Sequence, residues 1–372
     1  MISSRLRSLT LAFFAAAFFV GANLSARDVA VPNPAAWPAA IKGAAAGDTL
    51  VLGKGTWTDV RLEISRGGSP ERPLVVRAEI PGETILNGSS TLVIKAPHVI
   101  VDGLFFYKGA ISEDAVIAFK SHHGIVRNTA IVDYNPVAFD TKYYWVFFSG
   151  DHNLLERCYF KGKNNLEPLI GNAIDDSLNN RVARCFFKNI PLADGNGREI
   201  LRVWGAGKFD AGDKAGAYFT IEENLFEAAH GEGTEIVSLK SNYNRLINNT
   251  VVATRGGFNI RQGSHNLVQG NVILGQGLAG AQGLRMSGLS NTVRGNYVSG
   301  TESGIRVSTG EYVASALTAG YEPKIKAGAK SKDNAEGRIA TYPQVKDLAL
   351  SDNVTVGISG ADLEIGFSYK RH

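Results

Sequence analysis

Apolar and polar positions alternate through the middle of the chain in one recurring eight-residue phrase. It runs polar, apolar, apolar, polar, polar or glycine, asparagine or a small residue, apolar, apolar. It reads HVIVDGLF from His98, HGIVRNTA from His123, NLLERCYF from Asn153 and NRVARCFF from Asn180. It continues as FTIEENLF from Phe219, NRLINNTV from Asn244, NLVQGNVI from Asn266 and NTVRGNYV from Asn291. The sixth positions are Gly103, Asn128, Cys158, Cys185, Asn224, Asn249, Asn271 and Asn296, spaced by 25, 30, 27, 39, 25, 22 and 25 residues. A period of this length marks an array of stacked units. Apolar pairs bracketing a turn-type residue are short strands, and nothing between them reads as a helix of about ten residues. A single strand-turn-strand coil cannot bury its own apolar face, whereas stacked coils share a continuous core. Propeller blades need about 40 residues and four strands each, and the Leu-x-x-Leu-x-Leu of a leucine-rich repeat is absent. The pattern therefore predicts an all-β, right-handed parallel β-helix. Its repeated asparagines should stack about 4.8 Å apart as a side-chain ladder inside one turn.

The flanks follow from the same logic. Upstream, PNPAAWPAAIKGAAAGDTLVLGKGTW reads as a short capping helix, a Gly-Asp turn and a strand, covering the open end that a solenoid must close. Beyond about residue 310 the phrase is lost, which predicts irregular last coils. Cys158 and Cys185 share the ladder position on consecutive coils. They read as stacked thiols filling a small slot, with a disulfide left open.

At the amino terminus, Arg5 and Arg7 precede the apolar run Leu9 to Ala22, and small residues follow at Ser25 and Ala26. The run falls short of the roughly 20 residues of a membrane span and has the order of a secretory signal peptide. Residues 1–26 are therefore expected to be removed, with cleavage near Ala26. Residues 27–372 would then form a single domain in the periplasm or outside the cell, with no membrane attachment and as a monomer. Composition adds exclusions. The 42 glycines and 44% hydrophobic content suit a turn-rich packed fold rather than disorder. Two cysteines make neither a disulfide framework nor a zinc module. Formal charge is +4 (39 basic, 35 acidic), and +2 once Arg5 and Arg7 are gone. No basic run suggests a nucleic-acid partner.

In a solenoid, residues one coil apart stand above one another. Lys240, Arg261, Arg285 and Arg306 follow at intervals of 21, 24 and 21, which predicts a basic column on one face with Glu235 beside it. Like charges at that spacing repel unless an anion sits among them. A repeat of about 5 Å matches one charged group per sugar along an acidic polysaccharide. Asp175-Asp176 has the composition of a hydrolase carboxylate pair but lacks companion motifs and reads as an exposed turn. His230-Gly231 reads as a loop end, and Gly205–Gly216 as an insertion that explains the 39-residue interval.

The stretch EIVSLKSNYNRLINNTVVATRGGFNIRQGSHNLVQGNVILGQG, from Glu235 to Gly277, resembles the core of polysaccharide lyase family 6, which holds alginate lyases and chondroitinase B. The resemblance takes in CYFKGKNN from Cys158, GNGREILRVWG from Gly195, IEENLFE from Ile221 and GLRMSGLSNTVRGNYVSG from Gly283, about residues 150–305. It implies a β-elimination on an acidic polysaccharide, alginate first. Lys240 would be the general base, Arg261 its partner at the leaving oxygen, and Arg285 a contact for substrate carboxylates. A proton beside a carboxylate is barely acidic, so preorganised cations must stabilise the charge that develops. The resemblance also implies calcium held by Asn196, ahead of Arg202, and by a Glu-x-Glu pair. Here Glu235 is present, Gly233 replaces the first glutamate, and Glu232 is one residue out of phase, which on a strand turns a side chain to the other face. No cofactor is therefore expected, with Lys240, Arg261 and Arg202 neutralising the substrate; if calcium binds, Asn196 and Glu235 would hold it. Gln262 stands where the family commonly has histidine. Cleavage of dermatan or chondroitin by the same residues, a non-catalytic glycan-binding β-helix and a glycoside hydrolase remain as alternatives.

Overall fold

The computed structural model describes residues 26–174, 176–193, 196–205, 216–308 and 345–366. Its strands form three parallel sheets of 12, 11 and 11 strands, and sheet neighbours come from successive coils. One coil contributes Val99–Asp102 to the first sheet, Phe105–Gly109 to the second and Ala115–Phe119 to the third. This is the predicted right-handed parallel β-helix. A single apolar core runs its length, from Val31 to Val307, with inward rings stacked coil over coil, as in Phe160–Phe187 at 5.2 Å and Phe187–Phe226 at 4.8 Å.

Each phrase builds the corner between the first and second sheets. The residue at the corner takes a left-handed backbone, as at Gly270 (φ 65°) and Gly295 (φ 61°), where glycine has no Cβ to clash. The next side chain then points inward. Those inward residues are Asn224, Asn249, Asn271 and Asn296, all buried. Asn249 Oδ1 accepts from both the backbone N–H (3.1 Å) and Nδ2 (2.9 Å) of Asn224, and its own Nδ2 donates to Asn271 Oδ1 at 3.0 Å. In the first two phrases the ladder sits one residue later than predicted. Leu104 and Thr129 are the buried positions, whereas Gly103 and Asn128 occupy the left-handed corner. The count slipped because His98 and His123 stack in line with His152, not with Asn153.

A second ladder went unpredicted. The first residue of the phrase forms it at the other corner, where Asn244 and Asn266 pass bonds to Asn266 Oδ1 and Asn291 Oδ1. Cys158 and Cys185 are buried free thiols donating to backbone carbonyls, Cys158 to Glu156 O and Cys185 to Ala183 O, at 3.4 Å each.

The predicted cap is the helix Trp37–Gly43, with Trp37 and Ile41 buried on the core. The irregular end is corrected: Ala349–Ser351, Val354–Val356 and Leu363–Gly366 add one regular strand to each sheet, and Asn353 Oδ1 extends the ladder from Asn296. The expected signal peptide, Asp175 and most of the Gly205–Gly216 insertion lie outside the described residues. No helix among the described residues is long and apolar enough to cross a membrane.

Candidate active site

The site lies on the outer face of the third sheet, where strands Leu201–Trp204, Glu235–Lys240, Gly256–Gln262, Ala281–Met286 and Ser303–Ser308 run side by side. Arg202 pairs with Ser238, Ser238 with Asn259, Asn259 with Arg285, and Arg285 with Arg306. Lys240 belongs to a neighbouring row, between Trp204 and Gln262. The predicted single column of Lys240, Arg261, Arg285 and Arg306 is therefore corrected: only Arg285 and Arg306 are register partners.

Two bulges cause the difference. Between Glu235 and Val237 the register to the next strand slips at Ile236, and between Leu239 and Lys240 it slips back at Arg261. A bulge re-aims side chains that strict alternation would send elsewhere. Ile236 joins Val237 and Leu239 in the core, and Glu235 turns outward, its Oε2 accepting from Ser238 Oγ at 2.5 Å. Arg261 is the extra residue on its own strand, and its Nη1 lies 3.7 Å from Glu235 Oε2. Arg285 Nη2 reaches Glu235 Oε1 at 3.4 Å. Lys240, Arg261 and Arg285 thus converge despite standing in different rows. Arg306 is drawn off to Glu364 at 2.8 Å.

Lys240 is buried. Its Nζ donates to Glu199 Oε1 at 3.0 Å and lies 4.6 Å from the centre of the Trp204 ring. Burial lowers its proton affinity below that of an ordinary lysine, with Arg261 and Arg202 adding to the effect and Glu199 and Glu235 opposing it. Glu235 shows the opposite balance: burial pushes its carboxyl up, but Arg261, Arg285 and Lys240 outweigh this and hold it low. Arg202 is clamped from three sides, by Glu199 (3.5 Å), Glu167 (3.1 Å) and the Tyr144 hydroxyl (3.2 Å).

Glu199 was not singled out from the sequence, although it lies inside the quoted GNGREILRVWG. It is fully buried, and a buried carboxylate needs paired charges or a cation. Glu232 corrects a second expectation. Residues 231–234 form a turn, not a strand, so the one-residue phase argument does not apply to them. Glu232 Oε2 accepts from the Gly197 N–H at 2.8 Å and Oε1 from Thr234 Oγ1 at 2.8 Å. Oxygens of Glu199, Glu232 and Glu235 all lie within 4.8 Å of one another. Burial, then repulsion from Glu199 and Glu235, raises the Glu232 pKa, as befits a crowded anionic group. Three such carboxylates fit a hard divalent ion such as calcium, which takes oxygens at about 2.3–2.6 Å. Asn196 is exposed beside that turn.

His230 Nδ1 accepts the Arg255 N–H at 3.2 Å, fixing a turn. Asp176 is exposed, and Gln262 is buried next to Lys240 on the following coil.

Comparison with known proteins agrees with this fold. The chondroitinase B family model matches residues 31–309. A polysaccharide lyase of family 6 from Pseudopedobacter saltans is 42% identical, with a TM-score of 0.85 over 92% of this chain and 79% of that one. A mannuronic acid-specific family 6 lyase from human gut microbiota shares the fold at 23% identity, with a TM-score of 0.75 over 91% of this chain and 82% of that one. The family 6 alginate lyase AlyGC does so at 23% identity and a TM-score of 0.72, over 93% of this chain and 54% of that one. Curated proteins give no match. The chain belongs to polysaccharide lyase family 6.

Proposed function

We propose that the protein cleaves a uronate polysaccharide, alginate first, by β-elimination. The observation that carries the proposal is the convergence of buried Lys240 with Arg202, Arg261 and Arg285 around Glu199 and Glu235. The solved relatives named as alginate and mannuronate lyases support the substrate class. A base works best with a pKa drawn toward the working pH, and burial acts on Lys240 in that direction.

In this reading, neutral Lys240 takes the proton from C5 of the uronate. The electron pair left behind forms the C4=C5 double bond, the C4–O bond to the next sugar breaks, and the leaving oxygen, held by the Arg261 guanidinium, takes up the proton that Lys240 removed, which returns the lysine to its neutral form. Arg202 and Arg285 bind the carboxylate whose charge spreads during the step, and fixed cations in a water-poor site stabilise that charge most. Glu199, Glu232 and Glu235 would hold calcium, which would supply a further positive charge for the substrate carboxylate. The premise that Glu232 points away does not hold, so the expected independence from calcium passes to assay. With export of the chain, the enzyme would meet its polymer in the periplasm or outside the cell, as a monomer.

The test is incubation with alginate, dermatan sulfate and pectate while absorbance of the unsaturated end is followed. Alginate should raise it. A rise only with dermatan sulfate would move the substrate to the chondroitinase side, and reducing ends without absorbance would overturn elimination. Lys240→Ala should abolish the signal, and a wild-type rate in that variant would remove Lys240 from the reaction.

A further inference from the structure

N-terminal to the cluster, the outer face of the third sheet changes character. Val93, Ala115 and Ala118 form a small buried apolar patch outside the main core, and Tyr144 and Phe147 lie over it. Ala118 pairs with Phe147, and Phe147 with Gly171. Gly171 directly follows Ile170, the residue paired with Leu201, so the row leads straight to Arg202. The two rings are 4.8 Å apart and tilted by 43°. Gly171 keeps this arrangement open, because a Cβ there would stand 2.4 Å from Tyr144 Cε1. The Tyr144 ring therefore crosses the bare position and carries its hydroxyl to Arg202.

Beside the rings is an open cavity of about 170 Å³ lined by Asp114, Lys142, Tyr144, Phe147 and Glu167. Its two carboxylates are already engaged, Asp114 by Lys120 at 2.7 Å and Glu167 by Arg202 at 3.1 Å. Lys142 contributes an ammonium to the same lining. Flat half-exposed rings suit the C–H face of a pyranose, and the ammonium suits its carboxylate.

We infer that Tyr144, Phe147 and Lys142 form a distal subsite for a further uronate of the same chain. The inference rests on the lyase reading above. Phe147 is two coils from Arg202 and three from the row of Lys240. At about 4.8 Å per coil, those separations are roughly two to three sugars. The shelf therefore acts on long substrates and is out of reach of short ones.

The test compares Phe147→Ala and Phe147→Leu with wild type on a uronate trisaccharide and hexasaccharide. Phe147→Leu keeps an apolar cover over Val93 and Ala118, and an unchanged melting temperature shows that the fold is intact. The expected result is about a tenfold loss of kcat/KM on the hexasaccharide, carried by KM, with trisaccharide turnover unchanged. Equal loss on both lengths, or none on either, overturns the subsite. Hexasaccharide binding is also measured with Lys240→Ala and with Lys240→Ala/Phe147→Ala. Weaker binding by the double variant supports the shelf even if wild type yields no unsaturated ends, an outcome that would overturn the lyase reading alone. Equal binding overturns the shelf.

Discussion

Truncating one rung in the middle of the asparagine ladder tests what holds the coils in register. Asn249→Ala removes four hydrogen bonds: two into Oδ1 from Asn224, and two from Nδ2 to Ile221 O (2.9 Å) and Asn271 Oδ1 (3.0 Å). Not all the partners are stranded. Asn224 Nδ2 still reaches Val182 O at 3.0 Å, and Asn271 Oδ1 still accepts the Asn249 N–H at 3.0 Å. The buried Asn224 N–H loses its acceptor, however, and the Ile221 carbonyl loses a donor. At about 1–3 kcal/mol for each buried polar group left without its bond, the variant should lose about 2–6 kcal/mol. That is a large share of a typical domain's stability of roughly 5–15 kcal/mol. Asn353→Ala is the control. It removes the last rung, where Asn353 is only half-buried and water replaces the lost bonds, so the cost should stay within about 1 kcal/mol. Urea unfolding followed by far-UV circular dichroism measures both, and an unchanged slope identifies a pure stability change. A cost below about 1 kcal/mol for Asn249→Ala, or one equal to that of Asn353→Ala, would refute the idea that the ladder carries register energy.

Three further outcomes are expected. Lys240→Ala should lower kcat by about 10²–10⁴-fold, the contribution of a positioned base, while the circular dichroism spectrum is unchanged. Excess EDTA should remove activity that calcium restores, and Glu232→Gln should raise the calcium needed by more than about tenfold, the loss seen when even a supporting partner of a metal ligand is removed; full activity in EDTA would leave the neutralisation to Lys240 and the arginines. His123 stacks between His98 and His152, and burial, followed by His98, His152 and His122, depresses its pKa below 6.5 against a weaker pull from Asp151. The unfolded chain therefore binds this proton first, so stability present above pH 6.5 declines below it; His123→Asn, which tolerates the left-handed backbone, should narrow that decline between about pH 7 and 5.

The fold was legible because a parallel solenoid turns a spacing of 22 to 30 residues into a neighbour across the sheet. Asn224, Asn249, Asn271 and Asn296 announce the ladder, and Trp37 and Ile41 the cap. Errors arose where a phrase began on a different residue type. His98 and His123 shifted the count by one, and the last coil around Asn353 was overlooked because residues 309–344 separate it from Asn296. In the site, Lys240, Arg261, Arg285 and Glu235 were found through resemblance and phase. Glu199 and Glu232 were harder to find, since both lie in the loops that lead into the third sheet, where neither the strand alternation nor the ladder period applies. Tyr144 and Phe147 carried no signal beyond apolarity, as their meaning depends on the bare Gly171 one coil away.

The register itself shows why phase alone misplaced the charges. At Glu235 the partner lies 22 residues on (Gly257), at Val237 through Leu239 it lies 21 on, and at Lys240 it lies 22 on again (Gln262). Lys240 and Arg261 are 21 apart, so they match the middle of the strand but not the end where Lys240 stands. A regular sheet would have set Arg261 level with Lys240, two cations about 4.8 Å apart with Glu235 turned into the core. The paired bulges instead send Ile236 inward, Glu235 outward and Arg261 toward Glu235, so the carboxylate lies between cations that would otherwise face one another. Among the described residues, three of the four register shifts fall on the strands of this cluster and the fourth lies between Leu86 and Gly88, so irregularity is concentrated where charge must be arranged by chemistry and not by period.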